Sequence, residues 1–351
     1  MHLSTLGYTP NPLISEYSSA FLLKLQGLWK THIHSDVPSD DFLLYPDIHS
    51  LLLSYASRYD SHDEEYRNLL IEELKKSRDW KGIQDWDNSQ YILGTKIKIT
   101  TKFYNPDIEK HSHPDHAAQK IGVTFWSKSQ EEWALLFSKS FDILRSVSPG
   151  FMGEIEWVIR KVIPFDVSYG VHNSGSYTNA IGHLVMSYPQ MDNPEIALLE
   201  AILHEYNHNK LNLILQTELL ILNDRREMFY SPYRPDPRPI HGIYLWVHAL
   251  VWAYWVILNA HVLGILTLPH IWLEKAALYV FKNGLSLQVL DKYSRLSPLG
   301  SDILEEIRRV HQECLGFLKK THLSREILSW IRGHMITHFQ QVQAVSSELF
   351  Y

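Results

Sequence analysis

NPEIALLEAILHEYNHNKLNLILQTELL, residues 193–220, is the stretch that decides the fold. It reads as one long helix running to about Asn223. Asn193 suits the N-cap, Pro194 the first helical position, and Glu195 the positive end of the helix dipole. Inside it lies His204-Glu205-Tyr206-Asn207-His208, an H-E-x-x-H pentapeptide. Residues four apart on a helix stand one above the other on the same face. Two imidazoles at that spacing can grip one metal ion, with Glu205 beside them to handle protons.

Working outward, NAIGHLVMSY (179–188) reads as a strand entering this helix, and Asn173-Ser174-Gly175-Ser176 before it as a turn. Further upstream, LISEYSSAFLLKLQGLWKTHI (13–33) and DEEYRNLLIEELKKSRDW (63–80) have helical spacing. YILGTKIKITTKFY (91–104) and KIGVTFWS (120–127) read as strands around a polar loop, 105–116. EEWALLFSKSFDILRSVS (131–148) returns to helix, and 156–171 reads as a short helix and then a strand. Downstream, a proline-rich loop from Asp224 to Pro239 leads to a segment, Ile240–Leu268, without Asp, Glu, Lys or Arg. That segment carries His241, His248, Asn259 and His261, so it reads as a buried helix, not a membrane span. Two or three more helices finish the chain, with a break near Ser297-Pro298-Leu299-Gly300.

The expected architecture is α+β and mostly α-helical. A small sheet packs on a zincin-like H-E-x-x-H helix, with additional N- and C-terminal helices. In zincin-type folds the strand before that helix has a free edge on the cleft. Here Ala180–Tyr188 is the expected edge, to which an extended peptide could add as another strand. Residues 1–150 are expected to form a helical and β region serving peptide recognition. Residues 151–351 are expected to hold the metal-binding catalytic region and the C-terminal helices.

Two histidines do not complete a catalytic metal site; a third protein ligand is needed, with open positions left over. The metzincin continuation is absent, because Leu211 and Ile214 stand where Gly and His would be. A gluzincin Glu is absent too, since none occurs between Glu227 and Glu274. Glu218 shares the motif helix but lies nearly three turns beyond His208, too far along the axis. The next helix offers His241 and His248, separated by roughly 10 Å of rise, so only one can reach an ion. His248, inside an apolar helix where an imidazole needs a partner, is favoured, with His241 the alternative. A site of three neutral histidines leaves the ion's charge uncompensated, which suits an anionic co-substrate. Arg234 and Arg238, in the proline-stiffened SPYRPDPRPIHG loop (231–242), are the candidate carboxylate receptors.

These segments together, LLEAILHEYNHNKLNLILQTELL, YSPYRPDPRPIHGIYLWVHAL and the strand NAIGHLVMSY, resemble a family of HExxH-motif peptide-modification proteins found in ribosomal peptide pathways. The resemblance covers about residues 170–265. At Leu245 and Trp246 this chain departs from the family, where glycine or small residues are usual. The resemblance implies an iron(II)- and 2-oxoglutarate-dependent oxygenase that uses O2 to hydroxylate a precursor peptide, commonly at a β-carbon. It implies His204 and His208 as iron ligands, a third ligand where His248 stands, and Arg238 on the 2-oxoglutarate carboxylate. Glu205 would then orient a ligand or a water.

A zinc metallopeptidase with Glu205 as general base is the alternative from the motif itself. A non-catalytic metal-binding module is the third. Composition narrows the setting. Of 351 residues 45% are hydrophobic and 21% charged, enough for a large core. The net charge of −6 argues against a nucleic-acid partner. A single cysteine, Cys314, and the absence of a secretion signal suit a reducing cytoplasm. The remaining histidines read blandly: His111, His113 and His116 as a solvated loop, His172 and His183 as strand residues, His334 and His338 as a solvated helix face.

Overall fold

In the computed structural model, residues 12–33, 43, 48–49, 52–53, 90–92, 94–99, 129–165, 172–178, 180–321, 323 and 325–349 are described. The helix expected over 63–80, the histidine loop at 105–116 and the strand at 120–127 lie outside them. The fold is α+β and mostly helical, with a small mixed sheet. The chain divides into two compact units, and the division differs from the segments 1–150 and 151–351. The motif helix groups with the sheet and the N-terminal helix. Asp142–Phe151 and everything from Glu218 onward form the other unit.

The first unit is built on a five-stranded sheet. Its strands are β1 (Gln90–Tyr91), β2 (Lys98–Ile99), β3 (Lys161–Phe165), β4 (Ser174–Gly175) and β5 (His183–Ser187), in the order β1-β2-β3-β5-β4. The inner pairs, β2 with β3 and β3 with β5, are parallel; the outer pairs are antiparallel. Every residue of β5 is buried, as expected of a strand paired on both sides and covered on both faces. This corrects the expectation of a free edge along 180–188. The edge is β4, which registers Ser174 with Met186 and Gly175 with Val185, in the segment expected to be a turn.

Helices α1 (Pro12–Ile33), α2 (Gln130–Val147) and α4 (Pro194–Leu215) follow the expected apolar spacing, whereas α3 (Pro149–Val158) starts seven residues before the short helix expected at 156. The helix α1 buries Phe21, Leu25 and Trp29 and packs on α4. Pro194 opens α4 as expected, but Asn193 caps it differently. Asn193 takes the left-handed conformation (φ 58, ψ 57), and its carbonyl, not its side chain, accepts from Ile196 and Ala197. Asparagine tolerates that region better than most residues. The helix also stops eight residues short of Asn223. Lys24 of α1 donates to the Gln216 carbonyl at 2.8 Å, and the Gln216 side chain donates to the Thr178 carbonyl at 3.0 Å. These partners capture the last turn, and the chain leaves the helix there.

The second unit is helical: α5 (Ile240–Val262), α6 (His270–Tyr293), α7 (Pro298–Lys320) and α8 (Arg325–Leu349). A two-stranded hairpin, β6 (Met228–Phe229) with β7 (Arg238–Pro239), lies within the segment expected to be loop. The helix α5 is long and apolar enough to cross a membrane, but 83% of its most apolar window is buried inside the protein. Its polar atoms find partners: the Tyr244 hydroxyl donates to the Gly300 carbonyl, and the Trp255 indole donates to Glu313. The expected break at 297–300 is the N-terminus of α7, where the Ser297 hydroxyl accepts from the Gly300 N–H. Gly300 is obligatory for a steric reason. A Cβ there would sit 2.2 Å from the Leu220 carbonyl oxygen.

One further expectation fails in α8. His338 is buried, not solvated, and its ring pairs with the Ser231 carbonyl at 2.9 Å. His334, four residues earlier, is exposed as expected.

Candidate metal centre

Through the middle of α4, from Ala201 to Ile214, the flanking apolar residues are buried on every side. His204 and His208 are the two partly exposed positions of this stretch. Their Nε2 atoms face each other at 3.0 Å, with the rings at 89°. Imidazole nitrogens bound at about 2.0–2.1 Å to a shared ion stand roughly 3 Å apart, so the spacing fits one. Protonation does not suit His208. Burial, and then the neighbouring His204, push the His208 ring down to about 3, with Glu205 pulling the other way. The His208 ring is therefore neutral at neutral pH, the state in which histidine ligates metals.

Glu205 does not float in this site. Its Oε1 accepts from the Ser174 hydroxyl of β4 at 2.8 Å and lies 3.9 Å from the His204 Nε2. Tyr177, between β4 and β5, is pushed up to about 12 by burial and then by the Glu205 charge. Asn209 locks the helix to the sheet. Its side-chain amide donates to the His183 carbonyl, and its oxygen accepts from the Gly182 N–H at 2.7 Å. On the far side of α4, about 200° around the axis, lie Tyr206 and Lys210. Both reach the same buried oxygen of Glu154 in α3, at 2.6 and 2.9 Å. Burial, and then Glu154, hold the Tyr206 hydroxyl well above its usual range.

Ser174, Tyr177, Asn209 and Glu154 were not singled out from sequence. For Asn209 a signal existed: an asparagine two turns from any helix end is a poor helix former, retained where its amide has work elsewhere.

The other predicted residues belong to the second unit. Arg238 donates to Asp236 at 2.8 Å, and Arg234 lies 3.7 Å from the same carboxylate. The buried Nε of Arg238 has no acceptor among the described residues. That orphaned donor fits a carboxylate ligand, which would compete with Asp236 for the guanidinium. His248 is buried midway along α5, and His241 is half-buried at its start. The structure thus brings His204, Glu205 and His208 together in one unit, and Arg234, Arg238, His241 and His248 into the other. Among the described residues, no group of three His, Cys, Asp or Glu is arranged to hold a metal ion.

A pH dependence follows for the metal-free protein. His208 protonates near 3 when folded, against about 6.5 for an ordinary imidazole. As pH falls, the unfolded chain takes that proton first. The contribution of His208 to stability is therefore complete above about pH 6.5 and lost progressively toward pH 3. Melts of metal-free protein from about pH 7 to about pH 4 should fall more steeply in the wild type than in His208→Gln, by the slope of one proton. Parallel curves would mean that the ring titrates normally.

No protein-family model matches the chain, and no curated protein matches it.

Proposed function

We propose that this chain is an iron(II)- and 2-oxoglutarate-dependent oxygenase that hydroxylates a residue, at its β-carbon, in a ribosomally made precursor peptide. The observation that supports it best is the pair of imidazoles facing each other at 3.0 Å, on the face of α4 that is not packed away. His204 and His208 would hold the iron, with His248 as the proposed third ligand and His241 its alternative. When bound, the iron supplies the centre at which 2-oxoglutarate and O2 react, giving succinate, CO2 and a hydroxylated peptide. The protein's own residues bind and orient. Arg238 is the proposed seat for a 2-oxoglutarate carboxylate, in keeping with its orphaned Nε, and Arg234 supports it. Glu205, buried and held by Ser174 at 3.9 Å from the His204 Nε2, would in this reading orient a ligand or a water at the metal seat. Insertion of oxygen at a C–H bond requires no general base, which agrees with that role.

One observation favours a second reading, a zinc metallopeptidase. The antiparallel edge strand β4 lies directly beside the motif and carries Ser174 against Glu205. An extended peptide adding to that edge would pass Glu205, which would then act as general base toward water.

The test is anaerobic loading with iron(II), then 2-oxoglutarate and air, with succinate measured in the presence and absence of candidate peptides. Iron-dependent succinate supports the oxygenase. Tightly held zinc, no succinate and cleaved peptide would replace it with the peptidase. Glu205→Gln separates the two. The oxygenase reading expects succinate formation to fall by about 10–100-fold, as for a residue that orients a ligand. The peptidase reading expects cleavage to vanish.

A further inference from the structure

The second unit carries an open groove of about 1250 Å³ between α6, the end of α7 and α8. Its walls are apolar: Phe281 and Leu285 from α6, Leu318 from α7, and Leu328, Ile336 and Phe339 from α8. Phe281, Leu328, Ile336 and Phe339 are each about half exposed, at 47, 54, 52 and 49%. Large apolar side chains left open in a contiguous patch mark a surface that something covers.

Three features say what kind of occupant. The first is shape. The α8 wall runs from Leu328 to Gln343, about 22 Å at the helical rise, and the groove is open along it. A helix about 10–12 Å across, half sunk over that length, displaces roughly 900–1200 Å³. A small-molecule site would enclose most of its ligand, which an open trough does not. The second is pattern. The lining positions of α8 recur every three or four residues, which matches the apolar stripe of another helix. The third is charge. Among the described residues of the walls, Lys319 and Arg332 carry charge and no Asp or Glu joins them. A two-fold pairing of this face with a second copy would bring those cations toward one another, whereas an acidic partner would neutralise them.

We propose that this groove binds a peptide segment that folds as an amphipathic helix with acidic residues beside its apolar stripe. The inference stands apart from the reading at His204 and His208. Where that reading also holds, the bound segment is a part of the substrate peptide away from the modified residue.

The test uses the full-length protein and fluorescence anisotropy. The probe is a labelled peptide of about 18 residues, long enough to span the groove, with leucines at helical spacing and flanking glutamates. One control replaces the glutamates with lysines; another scrambles the stripe. The acidic probe should bind saturably, at least about tenfold more tightly than either control, and weaken with added salt. Ile336→Glu with Phe339→Glu should weaken it by about tenfold or more, and Ile336→Ser with Phe339→Ser should do so without adding charge. Lys319→Glu with Arg332→Glu should reverse the preference toward the lysine probe. All these positions are at the surface, and unchanged melts will show that the variants fold.

Equal binding of acidic and basic probes, or binding indifferent to the groove variants, overturns the proposal. So does a dimer that the same variants dissolve, which would assign the groove to a second copy. A fatty acid that occupies the groove while no peptide binds also overturns it. None of these readouts depends on a metal or on turnover, so they stand or fall separately from the oxygenase reading.

Discussion

His208→Ala should leave the protein folded but unable to retain iron, and should lower iron-dependent succinate formation by more than about 100-fold. The expectation rests on the pair geometry. With both imidazoles in place, two nitrogens 3.0 Å apart point at one seat, and the helix holds them there before any ion arrives. Removing one leaves His204 as the single ligand that α4 supplies. Loss of a group that merely orients a ligand already lowers affinity by about 10–100-fold, and loss of a ligand exceeds that. The partly exposed position makes a folding defect small, since little apolar surface is lost. Elemental analysis after anaerobic loading and succinate by chromatography are the measurements, with His334→Ala, exposed on α8, as the neutral comparison. Stoichiometric iron in His208→Ala would remove the metal reading altogether. Iron lost without any succinate in the wild type would keep the metal and remove the oxygenase.

Lys210→Met should destabilise the protein by about 3–5 kcal/mol while sparing the histidine pair. Lys210 and Glu154 form an ion pair at 2.9 Å with side chains only 4% and 1% exposed. Removing the ammonium leaves a buried carboxylate with the Tyr206 hydroxyl as its remaining described donor, and an uncompensated buried charge is costly. The double variant Glu154→Leu with Lys210→Met should recover much of the loss, because two apolar groups of similar size replace the pair. Denaturant titration of the two single variants and the double variant gives the coupling directly. A Lys210→Met variant within about 1 kcal/mol of wild type would show that water reaches Glu154 and that the pair contributes little. The pair also bears on geometry. Pinning Tyr206 and Lys210 to Glu154 fixes the rotation of α4 about its axis, which leaves His204 and His208 on the open side.

What the sequence made legible was local. The motif, Pro194 at the helix start, the uncharged helix from Ile240 and the break at Ser297-Pro298 are all written in neighbouring residues, and all have their counterparts in the fold. What it hid was contact at a distance. Ser174 meets Glu205 across 31 positions, and Glu154 meets Lys210 across 56. His338 finds the Ser231 carbonyl 107 residues away. No spacing rule reaches so far. The interior place of β5 was legible in principle, since Leu184-Val185-Met186 is an unbroken apolar run of the kind that belongs to a strand covered on both faces. The early end of α4 was not, because its cause is Lys24 on another helix. Of the candidate site, the two imidazoles and Glu205 stand together as the pentapeptide spacing requires. The third ligand and the arginine seat remain part of the proposal.

The burial of α5 also sets an order of events during synthesis. The partners that cover it, α6 and α7, are encoded after it, and α7 ends about 60 residues beyond Val262. At roughly 5–20 residues per second, a 23-residue apolar helix waits about 3–12 s for its cover. The second unit therefore cannot complete its core while the chain is still being made through α6. Its yield in a cell should depend on chaperone supply and growth temperature more than its final stability would suggest. The same interval exposes a segment that passes for a membrane span, so slow translation of α6 and α7 is where this protein is most open to misdirection and aggregation.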